Sequence, residues 1–184
     1  MADPIAPAPN AAAQLRRSDR AMTEQETLAF LQSGFCGRLG TVGADGAPYV
    51  VPLLYVFMDG QIWVHNTSAR GHLRTNIDHE ARVCFEIDEP GEVFPYGGFE
   101  CDTSISYRSA IAFGRARVVD DRADKARFCS ALMEKYGDRS LPRPKDVFPR
   151  LDAITVYTVT LERVTGKRNL LPDVGRRWPA VERR

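Results

Sequence analysis

The chain has 184 residues, with 25 Lys and Arg against 24 Asp and Glu, for a formal charge of +1. This near balance excludes charge-driven binding of a polyanion as its main business, and 43% hydrophobic with 27% charged residues excludes disordered, collagen-like and coiled-coil chains. One domain is expected at about 150 residues per domain. No run reaches the roughly 20 apolar residues that span a bilayer, and the start MADPIAPAPN has neither a basic nor an apolar leader region, so a cytoplasmic location away from membranes is expected.

Residues 1–20 carry Pro4, Pro7, Pro9 and an Ala-rich run before Arg16, Arg17 and Arg20, and read as a tail. Thr23 and Glu26 make a capping box, and Phe30 and Leu31, with Leu28, supply an apolar stripe, so a helix is expected over 23–33, stopped by Gly34. The period then changes. CGRLGTV reads as a strand, Gly43 to Gly46 as a turn, and PYVVPLLYVFM as one long strand rich in β-branched and aromatic residues. Asp59-Gly60 is a hairpin signal, because both central residues of a type I′ turn need positive φ, and QIWVH returns as the third strand. Residues 68–78 suit a short helix with Ser68 as N-cap, and ARVCFEID is a fourth strand.

Residues 89–103, rich in Pro and Gly, read as a long loop, either a lid or dimer contact or plain surface. SYRSAIAFGRARVV is a fifth strand, RADKARFCSALMEKYG a helix ended by Gly137, and ITVYTVTLERV a sixth strand after a loop holding Pro142, Pro144 and Pro149. The pattern predicts a mainly β fold, a small six-stranded antiparallel barrel with flanking helices over 21–168, followed by a basic tail at 169–184. The four cysteines have no C-x-x-C pairing and are expected as free thiols, with Cys36, Cys84 and Cys129 as small buried hydrophobes.

The chemically richest segment is WVHNTSARGH, which gathers His65, Asn66, Thr67, Ser68, Arg70 and His72 where a strand meets a helix. Hydroxyls, a guanidinium and exposed helix amides suit a phosphate monoester, since the helix dipole and free N–H groups favour the dianion. The same residues also suit a polar strand-to-helix turn. Arg38, Leu39 and Thr41 on the first strand offer a partner element for the same cleft. Pro52, inside a good strand, marks a bulge or an edge with free backbone, where either a flat heteroaromatic ring or nothing binds. No hydrolase elbow, zincin, Walker or dinucleotide motif is present. His65, His72 and His79 lack companion ligands, so no metal site is expected, and the basic ends lack interleaved aromatics, so no nucleic-acid partner is expected.

The stretch RLGTVGADGAPYVVPLLYVFMDGQIWVHNTSARGHLRTNIDHEARVCFEID, followed by CDTSISYRSAIAFGRARVV, resembles the pyridoxamine 5′-phosphate oxidase-like FMN-binding split-barrel superfamily, nearest its nitroimidazole-resistance subgroup. The likeness spans residues 15–168. It implies a six-stranded split barrel that forms a homodimer with two FMN molecules at the subunit interface. By similarity the FMN phosphate lies against Arg38, Ser68, Arg70 and His72, while Pro52, Leu53 and Thr67 border the ring and ribityl chain. His65 corresponds to the histidine beside the flavin and is the candidate proton donor, and Tyr107 or Arg108 reaches the partner's flavin or packs within the barrel. Where relatives often carry a lysine in the phosphate turn, this chain has Arg70-Gly71-His72, replacing a permanent ammonium by an imidazole. The implied activity is reduction of a small electron-poor acceptor such as a nitroaromatic, with NAD(P)H as donor. A haem-binding or haem-degrading protein of the same fold, and a flavin-binding protein without turnover, are the alternatives.

Overall fold

A computed structural model of the chain describes residues 15–173. Its elements are α1 (Glu24–Ser33), β1 (Gly37–Val42), β2 (Pro48–Leu53), β3 (Tyr55–Met58), β4 (Gln61–Thr67), α2 (His72–His79), β5 (Arg82–Pro95), β6 (Thr103–Val119), α3 (Arg122–Tyr136) and β7 (Ile154–Asn169). The capping box starts α1 as expected: the Glu26 amide donates to Thr23 Oγ1 at 3.2 Å and the Thr23 amide to Glu26 Oε2 at 2.8 Å. Gly34 ends this helix with an ordinary negative φ, and it is glycine because a Cβ there would lie 2.6 Å from the Tyr55 hydroxyl. At the β3–β4 turn, Asp59 and Gly60 both take positive φ, as a type I′ hairpin requires.

All seven strands form one antiparallel sheet in the order β2-β1-β5-β6-β7-β4-β3. The fold is mainly β as predicted, but the expected six-stranded split barrel is a seven-stranded sheet that is not closed. The predicted long strand 48–58 breaks at Leu54, so β2 and β3, consecutive in the chain, sit at opposite edges. A single residue joins the two edges, which therefore curl toward each other at this crossing. Twist and the two register shifts, between Pro90 and Val93 and between Phe113 and Gly114, provide the curvature.

The expected 89–103 loop is mostly strand. β5 runs to Pro95 and β6 starts at Thr103, leaving only 96–102 as the connection. The extension faces solvent on both sides over most of its length, so it lacks the apolar alternation by which strands are recognised. The predicted helix over 68–78 begins at His72, with Gly71 as N-cap; Ser68 caps nothing, and its amide donates instead to the Ala153 carbonyl at 2.9 Å.

Period-2 alternation divides the side chains between two cores. Inside the curled sheet, Leu39, Ile62, Val64, Phe85, Ile87, Ala112, Tyr157 and Val159 pack with Phe30 and Leu31 of α1 and with Leu73 and Ile77 of α2. Outside it, α3 places Phe128, Cys129 and Leu132 against Val56, Trp63, Val119 and Val156. All four cysteines are free; only Cys129 is buried, while Cys36 and Cys84 are half-buried and Cys101 is exposed. The basic end of the N-terminal segment is docked, because Ala21 bridges to Lys167 and the Met22 amide donates to the Gly166 carbonyl at 2.9 Å. Of the predicted tails at 1–20 and 169–184, residues 1–14 and 174–184 lie outside the described residues. No helix among the described residues is long and apolar enough to cross a membrane.

Candidate functional site

β4 sends Ile62 and Val64 inward, so Gln61, Trp63 and His65 face outward toward α3. His65 is half-buried, with the Phe128 ring 5.6 Å from its own. Burial pushes its pKa below the usual histidine value, so the imidazole is neutral at pH 7. Of its two ring nitrogens, only Nδ1 is buried without a hydrogen-bond partner.

The β3–β4 register pairs Tyr55 with Val64, which brings Leu54, one step earlier, to the level of His65 at the open crossing. Pro52 and Leu53 precede it on β2, an edge strand, which fits the reading of Pro52 as an edge marker. Pro52 faces outward and pairs with Arg38 on β1, whose side chain emerges on the same face. Arg38 donates to Glu86 at 3.0 Å and to Asp88, and both carboxylates hold its pKa above the ordinary arginine value. To meet a phosphate it would have to exchange these partners.

Beyond His65, Asn66 turns inward and its Oδ1 accepts from the Tyr157 hydroxyl at 3.2 Å, while Thr67 ends β4 exposed. Arg70 is exposed and pairs with Asp78 at 2.7 Å; Arg74 takes the same carboxylate through both oxygens at 2.9 and 3.0 Å. Gly71 caps α2 without a side chain, so the first amides of that helix have no side-chain acceptor. His72 stacks on Tyr49, ring centres 5.3 Å apart.

At the crossing, Pro52 with Arg38 and His65 lie on the outer face, whereas Leu53 alternates inward and α2, whose His72 stacks on the inward-facing Tyr49, belongs to the inner side. Others do not join them. Leu39 is wholly buried in the inner core, and Thr41, also inward, accepts from Asn76 Nδ2 at 3.0 Å, so neither side chain reaches the site. Tyr107 and Arg108 lie far off within the chain. Val119, Val156 and His65 are side by side, and Tyr107 is twelve residues back along β6, about 40 Å of strand. There Arg108 covers the Phe30 ring at 4.8 Å and pairs with Glu89 at 2.5 Å. Sequence reasoning missed Leu54, Asp78 and Phe128: Leu54 is one apolar residue in an apolar run, Asp78 one carboxylate in a polar helix, and Phe128 one aromatic in a helix of mixed residues. No cluster of His, Cys, Asp and Glu able to hold a metal occurs among the described residues.

The family model for pyridoxamine 5′-phosphate oxidase matches residues 23–168. No curated protein matches the chain. Among solved structures, a flavocytochrome from Azotobacter vinelandii superposes with a TM-score of 0.73 at 22% identity, covering 93% of this chain and 80% of that one. An FAD and heme binding protein from Mycobacterium smegmatis gives 0.68 at 18% identity, covering 82% and 74%. A candidate 5-nitroimidazole antibiotic resistance protein from Bacteroides thetaiotaomicron gives 0.66 at 19% identity, covering 80% and 86%. At these identities the likeness is one of fold.

Proposed function

Given that the chain belongs to the pyridoxamine 5′-phosphate oxidase family, we propose that it is a flavin-dependent oxidoreductase that takes FMN at the β2–β3 crossing and reduces a small electron-poor acceptor such as a nitroaromatic. The observation that carries this reading is what the chain brings to the β2–β3 crossing: the edge residues Pro52–Leu54, a neutral half-buried imidazole at His65 on the strand that pairs with β3, and, just after that strand, a cationic approach to an uncapped helix at Arg70 and Gly71.

These residues fit the group. The apolar crossing with its free edge suits a flat heteroaromatic ring, and Thr67, Ser68, Arg70 and the first α2 amides suit a phosphate dianion. Arg70 would leave Asp78 to do so, and Arg74 remains to hold that carboxylate through two bonds. Bound there, FMN supplies hydride or electron transfer from NAD(P)H to the acceptor. His65, whose Nδ1 is the buried ring nitrogen, would use Nε2 to move a proton to the reduced product. Phe128 of α3 covers one side of that imidazole.

The reading includes a homodimer that encloses the flavins. Supporting it, the outer face of β1, β2 and β6 exposes Val42, Val50 and Ile111, an apolar surface that a second copy would cover. The test uses the purified full-length chain: an absorption spectrum, titration with FMN and with haem, the solution mass, and NAD(P)H oxidation with a nitroaromatic. Saturable FMN binding to a particle of twice 20.6 kDa with acceptor-dependent turnover is expected. A Soret band on haem addition without flavin uptake assigns the haem alternative instead, and flavin binding without turnover assigns the non-catalytic one.

A further inference from the structure

At the free edge of β3 the last turn of α3 is tied to the crossing by two side chains. The Tyr136 hydroxyl accepts from the Tyr55 amide at 3.3 Å and lies 2.6 Å from the Phe35 carbonyl and 2.8 Å from the Tyr55 carbonyl, so its single proton goes to one of them. Lys135 Nζ donates to the same Tyr55 carbonyl at 3.2 Å and lies over two rings, Tyr55 at 4.0 Å and Tyr136 at 5.3 Å. Tyr55 follows Leu54 directly, so this ammonium is bonded to backbone one residue from the crossing.

Two features of this corner are left over from the contacts of the fold itself. One is charge. Arg122, Arg127 and Arg139 each pair with a carboxylate, whereas the half-buried Lys135 pairs with none among the described residues, and Glu134 beside it is taken by Arg139 at 3.3 Å. Burial is the one cause that moves the Lys135 pKa, down to about 8, so the group is still mostly an ammonium at pH 7. Of its three protons one goes to Tyr55, which leaves two donors. The other feature is apolar surface. Phe35 is 73% exposed, held by its ring contact with Tyr136 at 5.4 Å and by the bond to its carbonyl, and Leu54 is exposed beside Tyr55.

We infer that this corner selects the acceptor: it binds a planar aromatic carboxylate, whose ring lies against Phe35 and Leu54 and whose anionic group pairs with Lys135. A half-buried ammonium without a counter-ion has lost hydration and gained no ion pair, and a carboxylate supplies that pair through charge-assisted bonds. One cation matches a monoanion; a phosphate dianion would carry excess charge into an apolar corner. An electron-poor ring suits the electron-rich face of Phe35, whose own contact with Tyr136 is edge to face. The Tyr136 hydroxyl, already bonded to backbone on both strands of the corner, has no proton to offer, so Lys135 alone of these two decides the charge of what binds.

The inference rests on reading the crossing as the place of reaction and narrows its electron-poor acceptor to an anionic one, yet its test needs no flavin. The full-length chain without cofactor is titrated at pH 7 with para-nitrobenzoate and with its uncharged methyl ester, followed by NMR. The carboxylate is expected to bind about tenfold tighter than the ester and to move the Phe35 ring signals. Lys135→Met should abolish that preference and Lys135→Arg should keep it, while Phe35→Ser, at an exposed position, should weaken both probes alike. Equal affinities in the wild type, no binding of either probe, saturation that leaves Phe35 unmoved, or a preference that survives Lys135→Met overturns the inference. Should Lys135→Met not fold, the wild-type comparison and Phe35→Ser decide. Failure of FMN binding would refute the functional reading and leave this result standing.

Discussion

Truncating Phe128 to alanine tests how α3 builds the environment of His65. The ring is wholly buried, stacked on Trp63 at 6.3 Å and tilted against His65 at 5.6 Å. Removing it withdraws roughly 150 Å² of buried apolar surface, worth about 4 kcal/mol at ~25 cal/mol per Å², within the ~3–5 kcal/mol of buried Phe→Ala changes. For a chain of this size the melting temperature should fall by about 8–16 °C. Burial is the one cause that lowers the His65 pKa, so the variant should raise it toward the ordinary value. The folded pKa lies below the unfolded one, so the unfolded chain binds more protons between the two values and wild-type stability falls as pH drops through that window. The variant should show a shallower fall. Urea unfolding at several pH values and an NMR titration of the imidazole measure both effects. A loss under 1 kcal/mol, or an unmoved His65 pKa, would refute the claim that Phe128 seals this face.

Arg70→Ala should weaken FMN by about 2 kcal/mol, roughly thirtyfold, through lost charge-assisted bonds. Because its pair with Asp78 is exposed, cofactor-free stability should barely change; unchanged FMN affinity in a titration would place the phosphate elsewhere. Lys135 lies 4.0 Å over the Tyr55 ring, donates to the Tyr55 carbonyl at 3.2 Å, and burial pulls its pKa down to about 8. Its folded pKa is below the unfolded one, so wild-type stability should rise relative to Lys135→Met as pH climbs from 8 to 10.5, by about 1–2 kcal/mol after allowing for partial exposure. Paired urea curves with a pH-independent difference would contradict this. Gly114→Ala would set a Cβ 2.1 Å from the Thr160 carbonyl oxygen, at a register shift where backbone cannot yield. A loss of about 2–3 kcal/mol is expected, and an unaltered urea midpoint would show that the bulge can relax.

Much of the local structure was legible in the residues because it is set by neighbours in the chain. The Thr23–Glu26 box starts α1, Asp59-Gly60 makes the hairpin turn, and near-alternation in ITVYTVTLERV marks β7. The segment from His65 to His72 also showed itself, since its polar residues stand out at a strand end. The start of α2 did not: Ser68 is as good an N-cap by type as Gly71, and only the Ser68 bond to Ala153, 85 residues onward, decides between them.

Sequence by itself thus determined a mainly β chain with three helices and one chemically dense turn, through periodicity and capping, which depend on residues a few places apart. Tertiary structure decided what those patterns meet. It broke an unbroken apolar run at Leu54 by sending its halves to opposite edges, and turned Leu39 and Thr41 inward while Arg38 faced out. It also gave Arg38 its partners Glu86 and Asp88, and laid Phe128 over His65. Alternation says that a strand has two faces, but which face meets which neighbour depends on the register of segments far apart in the chain.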